Sequence, residues 1–410
     1  MKPRNEKQLV VGLDIGTSKV VAIVGEYEPG EPVEVIGIGS HASRGLKRGS
    51  VVDIESTVHS IQRAVEEAEL MAGCDIRSVY ASISGSHLET RNSHGSAAIR
   101  DREVNAGDLE QVLEAASAVN FPADRRVLFK EAQEYRIDGQ DGIRSPVGMS
   151  GVRLEASVHL VTGAAAAVQN ITKCIQRCGL SVDELVPSSI VSGKSVLTDD
   201  ERELGVCLVD IGAGTTDIAI YTQGAIRYTK SLPVGGDQVT NDIAYGVQTP
   251  TSHAEEIKIK YACALAGMAR ADESIQVPSV GDRPPRRLAR QSLAQSVQAR
   301  YEEIFEMVQE ELRRSGYESM VAAGVVLTGG ASKMEGALEL AEEILHKMVR
   351  IGIPQHVVGM GEVIGTPQHA TGVGLLLHGS RPDGKRISYP VGGSVGGLIG
   401  NLQGWFRRNF

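Results

Sequence analysis

Tryptophan is almost absent: Trp405 is the only one in 410 residues, so indole fluorescence reports on a single place. Basic charge is in deficit too. Lys and Arg number 42 against 51 Asp and Glu, a formal net charge of -9, which excludes nucleic acid as the default partner. Cysteine is scarce, odd in number and scattered: Cys74, Cys174, Cys178, Cys207 and Cys263. Cys174 and Cys178 stand four apart in an expected helix with no second pair at zinc spacing, so the five read as reduced structural thiols of a cytosolic protein. No apolar run approaches the roughly 18 residues of a membrane span. The first residues, "MKPRNEKQLVVGLDIG", carry charge but no apolar stretch of a secretory signal. What remains, 41% hydrophobic and 23% charged, is the composition of a globular protein. The length predicts at least two domains.

One phrase is present twice. "VVGLDIGTSKVVAIVGEY" begins at Val10, and "LVDIGAGTTDIAIY" begins at Leu208. Each reads as an apolar strand, Asp-Ile-Gly, a turn of small residues and a second apolar strand, which predicts a β-hairpin. A tight turn alone has no need of a carboxylate at the end of a buried strand, and two copies with Asp14 and Asp210 in the same place make that reading poor. Glycine lets the backbone approach a ligand, and successive N–H groups in such a bend cradle an anion. An Asp at the strand end can hold hydrated Mg²⁺. The first turn supplies Gly16, Thr17, Ser18 and Lys19. The second supplies Gly212, Ala213, Gly214, Thr215 and Thr216.

Two further pieces fit a nucleotide. "AAGVVLTGGASKMEGALELAEEIL", from Ala322, predicts a strand, a flat turn at Gly329, Gly330 and Ala331, and an amphipathic helix. In "AEEIKIKYA", Glu255 and Lys258 share a helical face. Such a pair is commonly a surface ion pair; here a ribose and adenine clamp, completed by Gly236, is the alternative. "SGKS" at Ser192 lacks the first glycine of a P-loop, and "GIGS" at Gly37 lacks the third glycine of a dinucleotide fingerprint.

Two D-x-G hairpins, the T-G-G segment and the A-E-x-I-K helix together resemble the actin, Hsp70 and sugar-kinase superfamily. The resemblance implies an α/β fold of two similar domains with ATP and Mg²⁺ between them, Asp14 and Asp210 holding the metal through water. The phrases "SRGLKRGSVVDIES", "VLFKEAQEYRIDG", "TDDERELGVCLVDIGAGTTDIAIYT" and "RPPRRLARQSLA", with the tail, are similar to the FtsA family of bacterial cell-division proteins over essentially the whole chain. On that likeness residues 1–83 and 163–197 form a first core subdomain and 84–162 an inserted α+β subdomain. Residues 198–243 and 320–378 form the second core and 244–319 its outer subdomain; 379–391 is a linker and 392–410 an amphipathic helix.

The resemblance implies a self-associating protein at the cytoplasmic face of the inner membrane, at the division septum. Its partners would be the C-terminal peptide of the tubulin-like FtsZ and later division proteins. From Arg283 to Tyr301 the chain carries five arginines and no acid. With the family likeness this predicts a seat for the mixed acidic and apolar FtsZ peptide at Arg286, Arg300 and Tyr301. The tail, "GGSVGGLIGNLQGWFRRNF", wound at about 100° per residue, puts Leu398, Ile399, Leu402, Trp405 and Phe406 on one side and Arg407 and Arg408 on the other, as for an anionic lipid surface. Hsp70-like relatives place a Glu before a Pro upstream of the second hairpin; Val186 stands there before Pro187. ATP is therefore expected to bias assembly, with weak turnover at most. The rivals are a sugar kinase, which has no use for the tail, a pilus-machine or rod-shape actin relative, and a chaperone, which lacks its peptide-binding domain here.

Overall fold

Both copies of the repeated phrase fold as antiparallel hairpins in the computed structural model, which describes residues 7–280 and 284–381. Gln8–Ile15 pairs with Lys19–Tyr27, and Val206–Ile211 pairs with Thr216–Thr222. Their strands are continuous apolar runs because both faces are covered. Val11, Leu13 and Ile15 point outward onto Ile61 and Ala64 of helix Ile54–Ala72 and Ile175 of helix Ala165–Arg177. Val10 points the other way, onto Val373 and Leu376. In the second hairpin Cys207, Val209 and Ile211 face the outer core, while Val206 and Leu208 meet Ile190, Val191 and Leu375. The two-residue period of a strand therefore turns Asp14 and Asp210 toward the middle of the molecule.

Each hairpin seeds a sheet. One runs Ser181–Pro187, Ser78–Ile83, Gln8–Ile15, Lys19–Tyr27, Val33–Ala42, Val357–Val358. The other runs Val349–Ile351, Val325–Thr328, Val206–Ile211, Thr216–Thr222, Ala225–Leu232. In both, the hairpin and the strand after it are antiparallel, and the strands on the hairpin's other side are parallel. The sequence repeat is thus a repeat of topology.

Helices Ser188–Val196 and Ala370–Gly379 lie between the sheets and touch backbone to backbone. A Cβ on Gly374 would sit 1.9 Å from the carbonyl oxygen of Val191, so only glycine allows this crossing. The "SGKS" segment is buried inside the first of these helices and forms no phosphate loop.

The inserted unit is a four-stranded antiparallel sheet in the order Leu88–Ala98, Arg153–Ala164, Arg125–Ile137, Gln140–Ile143. Helix Ala106–Ser117, closed at its start by an Asn105–Asp108 capping box, covers one face. The outer part of the second domain holds helices Thr251–Tyr261 and Arg290–Arg314 and a small hairpin, Ser274–Val277 with Arg286–Ala289. Leu293, Val297, Tyr301, Ile304, Phe305, Val308 and Leu312 line the buried stripe of the long helix.

That stripe corrects one expectation. Tyr301 is 1% exposed, its ring packs near Phe305, and its hydroxyl donates to the Ala331 carbonyl at 2.8 Å. It is a core residue at the back of the cleft, not a peptide seat. Among the described residues no helix is long and apolar enough to cross a membrane. Leu398, Ile399, Leu402, Trp405 and Phe406 lie outside the described residues, as does Arg283.

Candidate functional site

The two Asp-Ile-Gly turns converge on one cleft of about 580 Å³ between the sheets. They close in the same way: Gly16 N–H donates to Lys19 O at 3.0 Å, and Gly212 N–H donates to Thr215 O at 2.9 Å. The turns also touch each other, since a Cβ on Gly214 would lie 2.5 Å from Thr17 Oγ1. The start of helix Gly236–Gly246 is tied to the second turn, Gly236 N–H donating to Gly212 O at 2.9 Å.

Carboxylates dominate the deep end. Asp14 accepts from Ser82 Oγ at 2.8 Å. Asp210 accepts from Ser192 Oγ at 2.5 Å and from Thr371 Oγ1 at 3.3 Å, one hydroxyl from each central helix. Asp217 stands directly opposite Asp210 in the hairpin register and accepts from Ser84 Oγ at 2.7 Å. Like charges opposite one another in a sheet are destabilising, so this pair is not there for the fold. Burial pushes Asp210 up to about 7, helped by Asp217 and Asp14 and opposed by the Ser192 hydroxyl. Burial likewise pushes Asp217 up to about 6 and Asp14 above its usual value. Lys19 also lines the cleft, and burial lowers its pKa. The donor set is carboxylate and hydroxyl oxygen, which suits a hard cation and its phosphate ligands.

The other end is flat and mixed. Lys258 Nζ pairs with Glu255 at 2.7 Å and donates to Gly236 O at 3.1 Å and Thr240 Oγ1 at 2.9 Å. Thr240 Oγ1 also donates to Glu255. Glu255 and Lys258 are therefore both an ion pair and part of the cleft wall. Gly329, with φ +84°, passes so near Asp210 that a Cβ would lie 2.3 Å from its Oδ1.

Asp14, Gly16, Thr17, Ser18, Lys19, Asp210, Gly212, Ala213, Gly214, Thr215, Gly236, Glu255, Lys258, Gly329, Gly330 and Ala331 all line this cleft. Thr216 does not. It is the first residue of the return strand, fully buried, and its hydroxyl donates to Val234 O at 2.9 Å, so no phosphate contact comes from it. Sequence reasoning missed Asp217, Ser84, Thr371 and Lys333. Asp217 was within reach: counting the antiparallel register back from Asp210 lands on it. Val186 is buried in the core, and Glu184 is hydrogen-bonded to His378 Nε2 at 2.8 Å, away from the cleft lining.

The arginines sit elsewhere. Arg286 donates to Val247 O, and Arg300 makes two hydrogen bonds to Asp242, at 2.6 and 3.0 Å, and pairs with Glu303. Arg300 is thus already neutralised within the chain.

A family model described as cell division protein FtsA matches residues 207–374, and one described as the SHS2 domain inserted in FTSA matches residues 85–162. The chain is 59% identical over 410 residues to the cell division protein FtsA of Pseudomonas aeruginosa, with 98% of each chain covered. It is 48% identical over 415 residues to that of Escherichia coli, with 99% of each covered. Among solved structures, the PilM–PilN type IV pilus biogenesis complex matches with a TM-score of 0.66 at 17% identity, covering 91% of this chain and 99% of that one. MreB5 of Spiroplasma citri bound to ADP matches with a TM-score of 0.53 at 13% identity, covering 90% and 94%. The fold is that of the actin-like ATPases.

Proposed function

The chain belongs to the FtsA family of cell-division proteins, and from that membership we propose that it is an ATP-binding, self-associating adaptor that holds FtsZ at the membrane. The observation that carries the nucleotide part is the convergence of two glycine turns and three carboxylates, Asp14, Asp210 and Asp217, on one cleft. The turns receive the phosphates, and Gly236, Glu255, Lys258, Gly329 and Gly330 frame the nucleoside. Asp14 and Asp210 would hold hydrated magnesium, which supplies positive charge to the phosphates when bound. Asp217 is the cleft carboxylate able to take a proton from an attacking water. Its bond from Ser84 occupies part of its accepting capacity, in keeping with slow turnover. Calorimetry tests the site: Asp210→Ala should bind MgATP at least tenfold more weakly, about 1.4 kcal/mol, and wild-type affinity there would refute it.

The adaptor part has two ends. Arg286 and Arg287 are exposed on the small hairpin and offer cationic contacts for an acidic peptide. Arg300 contributes only if the peptide displaces Asp242. Reversal of Arg286 and Arg287 to Glu should abolish pull-down of an FtsZ tail peptide, whereas unchanged capture at moderate salt would move the site. At the other end the C-terminal amphipathic segment inserts into anionic lipid on the cytoplasmic face. One segment binds weakly and an assembly of many binds firmly. Trp405 fluorescence should shift to the blue on adding anionic liposomes, and an emission indifferent to lipid would overturn the tether. Later division proteins then gather on the assembled surface at the septum.

A further inference from the structure

Strand Ala225–Leu232 ends the second sheet and pairs on one side only, with Thr216–Thr222. Its free side is met by the inserted subdomain, which branches from the first domain. Thr90 Oγ1 donates to Thr229 O at 3.0 Å, Asn92 Nδ2 to Arg227 O at 2.9 Å, and Gln133 Nε2 to Ile226 O at 2.7 Å. Side-chain donors thus cover carbonyls that an edge strand would otherwise leave open. Buried His159 bridges the two units, sharing hydrogen bonds with Asn92 Oδ1 at 2.7 Å and Thr229 Oγ1 at 3.0 Å. At the inner end, Gly85 N–H donates to Ser231 Oγ at 3.0 Å, and Ser84 Oγ reaches Asp217 at 2.7 Å inside the cleft.

These hydrogen bonds form a line from the cleft outward and are mostly between neutral groups; beside them Arg227 pairs with Glu134 at 3.9 Å, Arg144 pairs with Glu203 at 2.6 Å, and Phe129 shares the central core with Ile226. Neutral hydrogen bonds exchange for water at small net cost, so this line of hydrogen bonds can part and re-form. Among the described residues the chain crosses between the two sheets elsewhere, after helix Ser188–Val196 and again through residues 352–356, between Val349–Ile351 and Val357–Val358.

We propose that the inserted subdomain is a clasp across the two domains, and that nucleotide release requires the seam between it and strand Ala225–Leu232 to part. This rests on the nucleotide reading of the cleft. The inner rung, Ser84 to Asp217, places one end of the clasp on the cleft wall. Occupancy of the cleft and closure of the seam are then one event.

The test uses the full chain carrying Asn92→Ala with Gln133→Ala, neither of which lines the cleft. Release of N-methylanthraniloyl-ADP is followed by stopped flow, and amide hydrogen exchange is measured with and without MgATP. Losing the two neutral hydrogen bonds that Asn92 and Gln133 make across the seam should speed release about tenfold. His94→Ala, on the same sheet but bonded only to Ser157, should leave release unchanged. MgATP should slow exchange of residues 225–232 in the wild type and much less in the double variant. An unchanged release rate, with helix Ala106–Ser117 exchanging as in the wild type, would overturn the clasp. Equal acceleration by His94→Ala would do the same. Failure of any fluorescent nucleotide to bind would count against the nucleotide reading instead. The nucleotide-free comparison then decides the clasp: faster exchange in both 225–232 and the Gly212–Thr215 turn supports it, and faster exchange in 225–232 alone overturns it.

Discussion

At Asp210 and Asp217 the cleft holds charge that the apo protein would rather not carry. Burial raises both from 3.8, to about 7 and about 6. The folded state therefore binds their protons more tightly than the unfolded chain does. Their contribution to stability is full below about 3.8 and is lost as pH rises through about 6 and then about 7. Urea titrations without nucleotide should show that loss, and Asp210→Asn should flatten it. On the proposed function, metal–nucleotide binding would need the ionised forms, so affinity should rise with pH through about 7 in the wild type and not in Asp210→Asn. His159 and His369 act in the opposite sense. Burial lowers each from 6.5 to about 4, with Lys19 and Lys333 assisting at His369. Their contribution is present above 6.5 and is lost as pH falls through about 4. His159→Asn should make the protein less sensitive to acid between those limits, measured by denaturation midpoints at a series of pH values.

Among the elements, the two central helices carry the most consequence per atom. Each gives one hydroxyl to Asp210, from Ser192 and from Thr371. Gly374→Ala would force a Cβ against Val191 O and push the helices apart. Overpacking of this kind costs about 1–3 kcal/mol. The melting temperature should fall by several degrees, and MgATP affinity should fall with it as the two hydroxyls move; a stable variant with unchanged affinity would separate packing from the site. The hairpins and the T-G-G segment were legible because their chemistry is local: strand, turn and ligand group lie within about fifteen residues. Tyr301 was misplaced for want of one further step. Its spacing from Leu293, Val297 and Phe305 already put it on the buried stripe of its helix. Thr216 was misplaced because the turn and the return strand meet between it and Thr215, and one residue changes the face. Ser84, Ser192 and Thr371 were not legible at all. Ser84 and Thr371 line the cleft and Ser192 bonds Asp210 from behind it, each from a segment more than a hundred residues from the next, and nothing in their neighbours marks a hydroxyl as a carboxylate's partner.

Over the whole molecule, the inserted subdomain does more than decorate the first domain. Phe129 and Val161, from its strands, are buried in the central core with Val186, Ile190 and Leu208. Lys194 Nζ lies 5.9 Å from the Phe129 ring and is hydrogen-bonded to His378 Nδ1 at 2.5 Å. Removing the insert should therefore cost about 1.5–3 kcal/mol for each of those two side chains, read as a lower melting temperature, while the six-stranded and five-stranded sheets persist in the circular dichroism spectrum. That persistence follows from where the insert begins and ends. Leu88 pairs with Gly163 across the first two strands of its sheet, and Ala164 N–H donates to His87 O at 3.2 Å. Entry and exit are thus a single hydrogen-bonded step apart, and a short turn can join them. In evolutionary terms the subdomain has the form of a cassette: one splice at this step would add or exchange it without reordering a strand in either sheet.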